Sequence, residues 1–135
     1  DSEVLKLRDQ YIVEYCVAVV VHINGKNGCK VFGEVIREIA PAEMKSKPFN
    51  RMIREAAQAI DMYLRLEDIM TEQGFEPEVH LDINPNENEG SSCALAAAKG
   101  MVMGTCSIMP LAKPDAFAAS FTADRLDRVL REQAA

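Results

Sequence analysis

Tryptophan is absent from this 135-residue chain, and aromatic residues of every kind make up 6% of it. The core must therefore be built from Ala, Val, Ile, Leu and Met. No base-stacking set, RNA-binding motif or hybrid-reading module is legible. Positive charge is also scarce: 15 Lys and Arg stand against 21 Asp and Glu, a formal net charge of -6. That argues against a domain that holds nucleic acid by bulk electrostatics. It leaves room for a metal-dependent enzyme, because bound cations offset local acid. The four cysteines, Cys16, Cys29, Cys93 and Cys106, form no CxxC pair, which removes the usual zinc spacings. Cys16, Cys93 and Cys106 stand in apolar or Ala-rich surroundings and read as buried thiols of a reducing compartment, a cytoplasmic reading. Cys29 follows a turn and reads as more exposed. The apolar run 16–21 is far too short to span a bilayer, so no membrane partner is expected.

What remains is an ordinary soluble composition, 48% hydrophobic and 27% charged, at a length that suits one domain over 1–135. Residues 11–23 are dominated by β-branched and aromatic types, which predicts a strand covered on both faces. Asn24-Gly25-Lys26-Asn27-Gly28 supplies turn residues, and 29–39 returns as a second strand, completing a hairpin. Ser46 before Lys47-Pro48 marks a helix start. Phe49, Met52, Ile53, Ala56, Ile60, Tyr63 and Leu64 then fall on one helical face, and Gly74 stops a helix of about 47–73. Residues 78–83 predict a short strand, and Ser91 or Ser92 caps a small-residue helix to about Met103, ended by Gly104. Residues 105–109 predict a weak strand, and a last helix covers about 115–132 beyond Lys113-Pro114. A hairpin followed by alternating strands and helices predicts an α/β fold, with a mixed sheet and parallel later strands.

Asp82 closes the apolar alternation of Val79, Leu81 and Ile83, just before a proline and an acidic loop. A carboxylate there can project beyond a sheet edge. The wording around it is specific: His80-Leu81-Asp82-Ile83-Asn84-Pro85, then Lys113-Pro114-Asp115-Ala116-Phe117-Ala118-Ala119-Ser120, then Ala123-Asp124-Arg125. These motifs resemble the ribonuclease H-like YkuK family, which is predicted to be nuclease-related. Asp1-Ser2 resembles the end of that family's Gly-Thr-Asp-Ser signature. The resemblance covers essentially the whole chain.

The resemblance implies a ribonuclease H-like mixed sheet flanked by helices, with strands in the order 3-2-1-4-5. Only Asp1-Ser2 would remain of the central first strand, which implies an N-terminally truncated domain. An incomplete sheet leaves unpaired backbone groups, so the chain is expected to rearrange, pair its strands directly or form a homo-oligomer. The implied activity is hydrolysis of a phosphodiester with nucleic acid as substrate. The implied ligands of Mg²⁺ or Mn²⁺, which are also the implied catalytic residues, are Asp1, Glu55, Asp82 and Asp124. Arg51, Arg54, Lys99, Lys113 and Arg125 would supply positive charge near the site.

Each residue also has a plainer role. Asp82 can cap its loop, Glu55 can be a solvated helix residue and Asp124 can pair with Arg128 at i+4. His80 shares a strand face with Asp82, and a hydrogen-bonded structural role is its commoner fate. His22 has no partner legible in the sequence. Lys113 can contact a phosphate or be a loop lysine, and Glu67 interrupts the apolar stripe of the long helix. Loop 86–90 lacks EF-hand spacing, Ser91 and Ser92 lack the G-x-S-x-G context, and the glycines form no phosphate cradle. The rival reading is therefore a non-catalytic domain of the same fold that serves in binding or assembly.

Overall fold

The computed structural model describes residues 2–22, 29–41, 44, 48–86, 92–116, 118, 128–130 and 132–133. Within these, the order is β1 (Ser2–Leu7), β2 (Gln10–His22), β3 (Cys29–Ala40), α1 (Pro48–Glu72), β4 (His80–Leu81), α2 (Ser92–Cys106) and β5 (Leu111–Ala112). The α/β class and the β2–β3 hairpin agree with the sequence reading. β2 and β3 pair antiparallel from Tyr11↔Ala40 to His22↔Cys29. β4 and β5 pair in parallel, as the crossover through α2 requires.

The front of the chain differs from expectation. A six-residue strand stands where only Asp1-Ser2 was expected to remain, and β1 pairs antiparallel with β2 from Ser2↔Tyr15 to Leu7↔Gln10. The sequence hides this hairpin because its two-residue turn is Arg8 and Asp9, and Arg8 takes a φ of 54° without being Gly or Asn. Among the described residues the strands form an antiparallel β1-β2-β3 sheet and a parallel β4-β5 pair, the mixture of strand directions that the sequence predicts.

Helix ends follow the backbone more closely than the composition. α1 begins on Pro48, whose missing N–H is harmless in a first turn. It ends at Gly74, with a φ of 81°. Gly74 N–H donates to Thr71 O at 3.0 Å and Phe75 N–H to Met70 O at 2.9 Å, a Schellman closure of the last carbonyls. α2 does not stop at Gly104. It runs to Cys106 and closes where Ser107 turns to a φ of 58°. The Ala-rich run sustains the helix through that glycine at a cost of roughly 1 kcal/mol. The strand expected at 105–109 is thus helix and turn, and the strand itself is Leu111–Ala112. The turn at 24–28, the helix start at Ser46-Lys47, loop 87–90 and most of the predicted last helix lie outside the described residues.

Two apolar clusters result. In the first, Ala56 and Ile60 of α1 meet Ala98, Val102 and Cys106 of α2 and Val79, Leu81 and Ile83 of the β4 segment. Ala94, Ala98 and Val102 recur every fourth residue, so one stripe of small side chains lets α2 approach α1. The second cluster holds Val13, Tyr15 and Ala40, with Val4, Ile36 and Met44 against it. Phe49 and Leu64, expected on the inward stripe, are exposed. Cys93 is exposed rather than buried, because it stands on α2 beside the inward Ala94. Burial pushes the Cys106 thiol upward, and the Glu67 charge adds to the effect. Glu67 also meets the Tyr63 hydroxyl, which accounts for a carboxylate within the apolar stripe.

Salt bridges hold α1 against β3. Arg54 grips Glu38 through both Nε, at 3.0 Å, and a terminal nitrogen. Arg65 bridges Glu34 and Asp61. Glu14, buried on β2, pairs with Arg37 directly across the strands. A buried carboxylate without that partner would carry a large desolvation cost.

Candidate active site

A groove of about 290 Å³ opens between the two sheets, with α1 as its floor. One wall is residues 15–22 of β2, and the other is the segment 75–83 that contains β4. Met52, Ala59, Met62 and Leu66 line the floor, and Glu55 and Asp82 both border the groove. Two of the four expected acids therefore reach one cleft from different elements. Asp1 and Asp124 lie outside the described residues.

Glu55 is half-buried on α1, on the turn below Ala56 and Ala59. Its Oε1 accepts a hydrogen bond from the Ser2 hydroxyl. This contact ties the first residue of β1 to the helix. Sequence reasoning took Ser2 only as part of a signature. Its partner lies 53 positions away, and no local pattern announces it.

Asp82 follows β4. The β4–β5 register runs His80↔Leu111 and Leu81↔Ala112, so its continuation sets Asp82 opposite Lys113. The Lys113 ammonium forms an ion pair with Asp82 Oδ1. That oxygen is buried and its contact lacks the angle of a hydrogen bond, so Coulomb attraction carries the pair. Among the described residues Asp82 Oδ1 makes no capping hydrogen bond. Asn84 makes one, accepting from the Asn86 N–H at 3.0 Å.

His80 takes the structural role. Its Nδ1 accepts from the Ala118 N–H at 3.3 Å, which leaves the proton on Nε2 to be donated to Glu78 at 3.2 Å. The basic residues do not share one task. Arg54 is committed to Glu38, whose carboxyl it holds below the usual range chiefly through their hydrogen bond. Arg51 lies one turn before Glu55, and its buried Nε makes no hydrogen bond among the described residues. Lys99 is half-buried on α2, and Arg125 lies outside the described residues. Tyr15 stands beside this cluster, its hydroxyl pushed upward first by burial and then by the Glu38 charge.

Among the described residues no three His, Cys, Asp or Glu side chains gather closely enough to hold a metal ion. The oxygen chemistry nonetheless suits a hard divalent cation, because Glu55 and Asp82 both bring carboxylate oxygens to the border of the groove. No helix among the described residues is long and apolar enough to cross a membrane.

A family model described as Ribonuclease H-like matches residues 1–128. The match is broader than the YkuK resemblance carried by the motifs. No curated protein and no solved structure matches the chain.

Proposed function

Because the chain belongs to the ribonuclease H-like family, we propose that it is a divalent-metal-dependent nuclease domain that hydrolyses a phosphodiester of nucleic acid. The observation that carries this reading is the convergence of Glu55 and Asp82 on one groove from α1 and the end of β4. In this reading Asp1, Glu55, Asp82 and Asp124 hold Mg²⁺ or Mn²⁺. When bound, such ions supply Lewis acidity toward the phosphate and lower the pKa of water.

The chain's own residues have separable tasks. Ser2 orients the Glu55 carboxylate by donating to it. Arg51, one turn before Glu55 on α1, adds positive charge beside that carboxylate. Lys113 keeps Asp82 charge-balanced and, once displaced from it, can meet the same phosphate. The net acidity of the chain restricts this attraction to the groove rather than to a broad basic face.

The test incubates the chain with labelled RNA, DNA and hybrid duplexes in Mn²⁺. Cleavage that drops to background in both Asp82→Asn and Glu55→Gln supports the reading. Cleavage that survives Asp82→Asn belongs to a contaminant and removes it. A second reading, binding or assembly without catalysis, draws on the Lys113 ammonium already occupying the charge of Asp82. It predicts no cleavage of any substrate while the fold stays intact.

A further inference from the structure

β3 is an outer strand. In the order β1-β2-β3 it pairs with β2 on one side, and no strand among the described residues meets its other side. That edge runs the whole length of Cys29–Ala40, on the side of the sheet remote from β1. A long strand edge is a template for another strand. Apolar side chains stand along it in water: Phe32 is 58% exposed and Ile39 73%, the most exposed large hydrophobic among the described residues. Side chains alternate along a strand. Glu34 and Glu38 pair with Arg65 and Arg54 of α1, so Lys30, Phe32, Glu34, Ile36 and Glu38 share the α1 side of the sheet. Cys29, Val31, Gly33, Val35, Arg37 and Ile39 share the other.

We propose that β3 is the seam of a two-fold dimer, in which it pairs antiparallel with β3 of a second copy and joins two three-stranded sheets into one. Residues directly opposite each other must share a face, so the two-fold axis passes through a residue and not between residues. An axis at Glu34 makes the strand its own complement. Phe32 then lies opposite Ile36 of the second copy, and Lys30 lies opposite Glu38. On the other face Cys29 lies opposite Ile39. Moving the axis by one residue sets Phe32 against Glu34 or Glu38, and Lys30 against Ile36 or Ala40, so apolar groups meet charge and the lysine loses its partner. The two Glu34 carboxylates meet on the axis, and each already carries the Arg65 of its own chain. Residues 29–39 all find partners in this register, a seam of roughly 37 Å. The pattern is satisfied twice over by an identical strand, and that makes the occupant a second copy.

The test is sedimentation equilibrium of the full chain over a range of concentrations, with hydrogen exchange on the same samples. The expected result is a reversible dimer, and exchange at the outward-facing amides of β3 that slows at least about tenfold as the dimer fills while α2 changes little. Phe32→Lys sets a charge against Ile36 and should weaken the dimer at least about tenfold. Lys30→Glu should do the same by setting like charges opposite. Both side chains are exposed in the single chain, so both variants should keep the circular dichroism of the parent. Ile39→Cys tests the register: under mild oxidation the new thiol should close a disulfide with Cys29 of the second copy, and the same variant carrying Cys29→Ser should not. A chain that stays monomeric at every concentration overturns the proposal. So does a dimer that both Phe32→Lys and Lys30→Glu leave unchanged, or one whose protection falls on residues 17–21 of β2 rather than on β3.

Discussion

The Lys113 ammonium lies on the Asp82 carboxylate, one position beyond the register that joins β5 to β4. The pair is asymmetric, with the Asp82 side chain largely covered and that of Lys113 about two-fifths exposed. Removing the lysine strands a buried charge, whereas removing both groups strands nothing. Lys113→Met should lower stability by about 1–2 kcal/mol, and the double variant with Asp82→Asn should recover most of it. Urea unfolding of the four proteins of this cycle measures the coupling. Under the nuclease reading, Mn²⁺ should also raise the melting temperature of Lys113→Met more than that of the parent, because the ion replaces the missing counter-charge.

Ser2 is the hinge point between β1 and α1, through its bond to Glu55. Ser2→Ala should cost about 1 kcal/mol and speed exchange of the β1 amides before those of β3. An unchanged exchange pattern would mean that β1 is held by its ladder to β2 alone.

Acid should loosen α1 from β3. The Glu38 carboxyl titrates below its ordinary value in the folded chain because Arg54 hydrogen-bonds its charged form. A carboxyl lowered by folding stabilises above its unfolded pKa, and this contribution disappears as pH falls through the folded value. Solvent screens the pair, so its worth at neutral pH is about 0.5 kcal/mol. Glu38→Gln should therefore be less stable than the parent at pH 7 and equal to it at pH 2. Chemical denaturation at both pH values measures the difference.

Gly74 should resist substitution although nothing lies within 4 Å of a Cβ placed there. The penalty comes from its φ of 81°, and Gly74→Ala should cost about 1 kcal/mol. Gly104 has the same open surroundings but sits inside α2, where Ala is the better helix former. Gly104→Ala should stabilise by about the same amount, and thermal melts of the two variants should move in opposite directions.

These contrasts show where the sequence was legible. Periodicity located β2, β3 and α1 because each is long enough to display its pattern, and Gly74 was readable as the stop of α1. β1 and the end of α2 depend on Arg8 and Ser107 adopting left-handed backbone, a choice that tertiary packing imposes and composition does not signal. At the site, Glu55 was legible as a border residue of the α1 stripe, and Asp82 as a strand-end carboxylate. Their partners Ser2 and Lys113 were not, because each contact crosses between elements whose register becomes known only once they fold.

The floor of the groove is also a party wall. α1 contributes Ala56 and Ile60 to one apolar cluster, while its arginines clasp the strand that helps enclose the other. Either half can breathe while the helix still leans on its neighbour, so the central amides of α1 should be the last clock to stop in deuterium exchange. Their rate would time the dissolution of the whole molecule, and the earlier losses on each side would time the opening of each room.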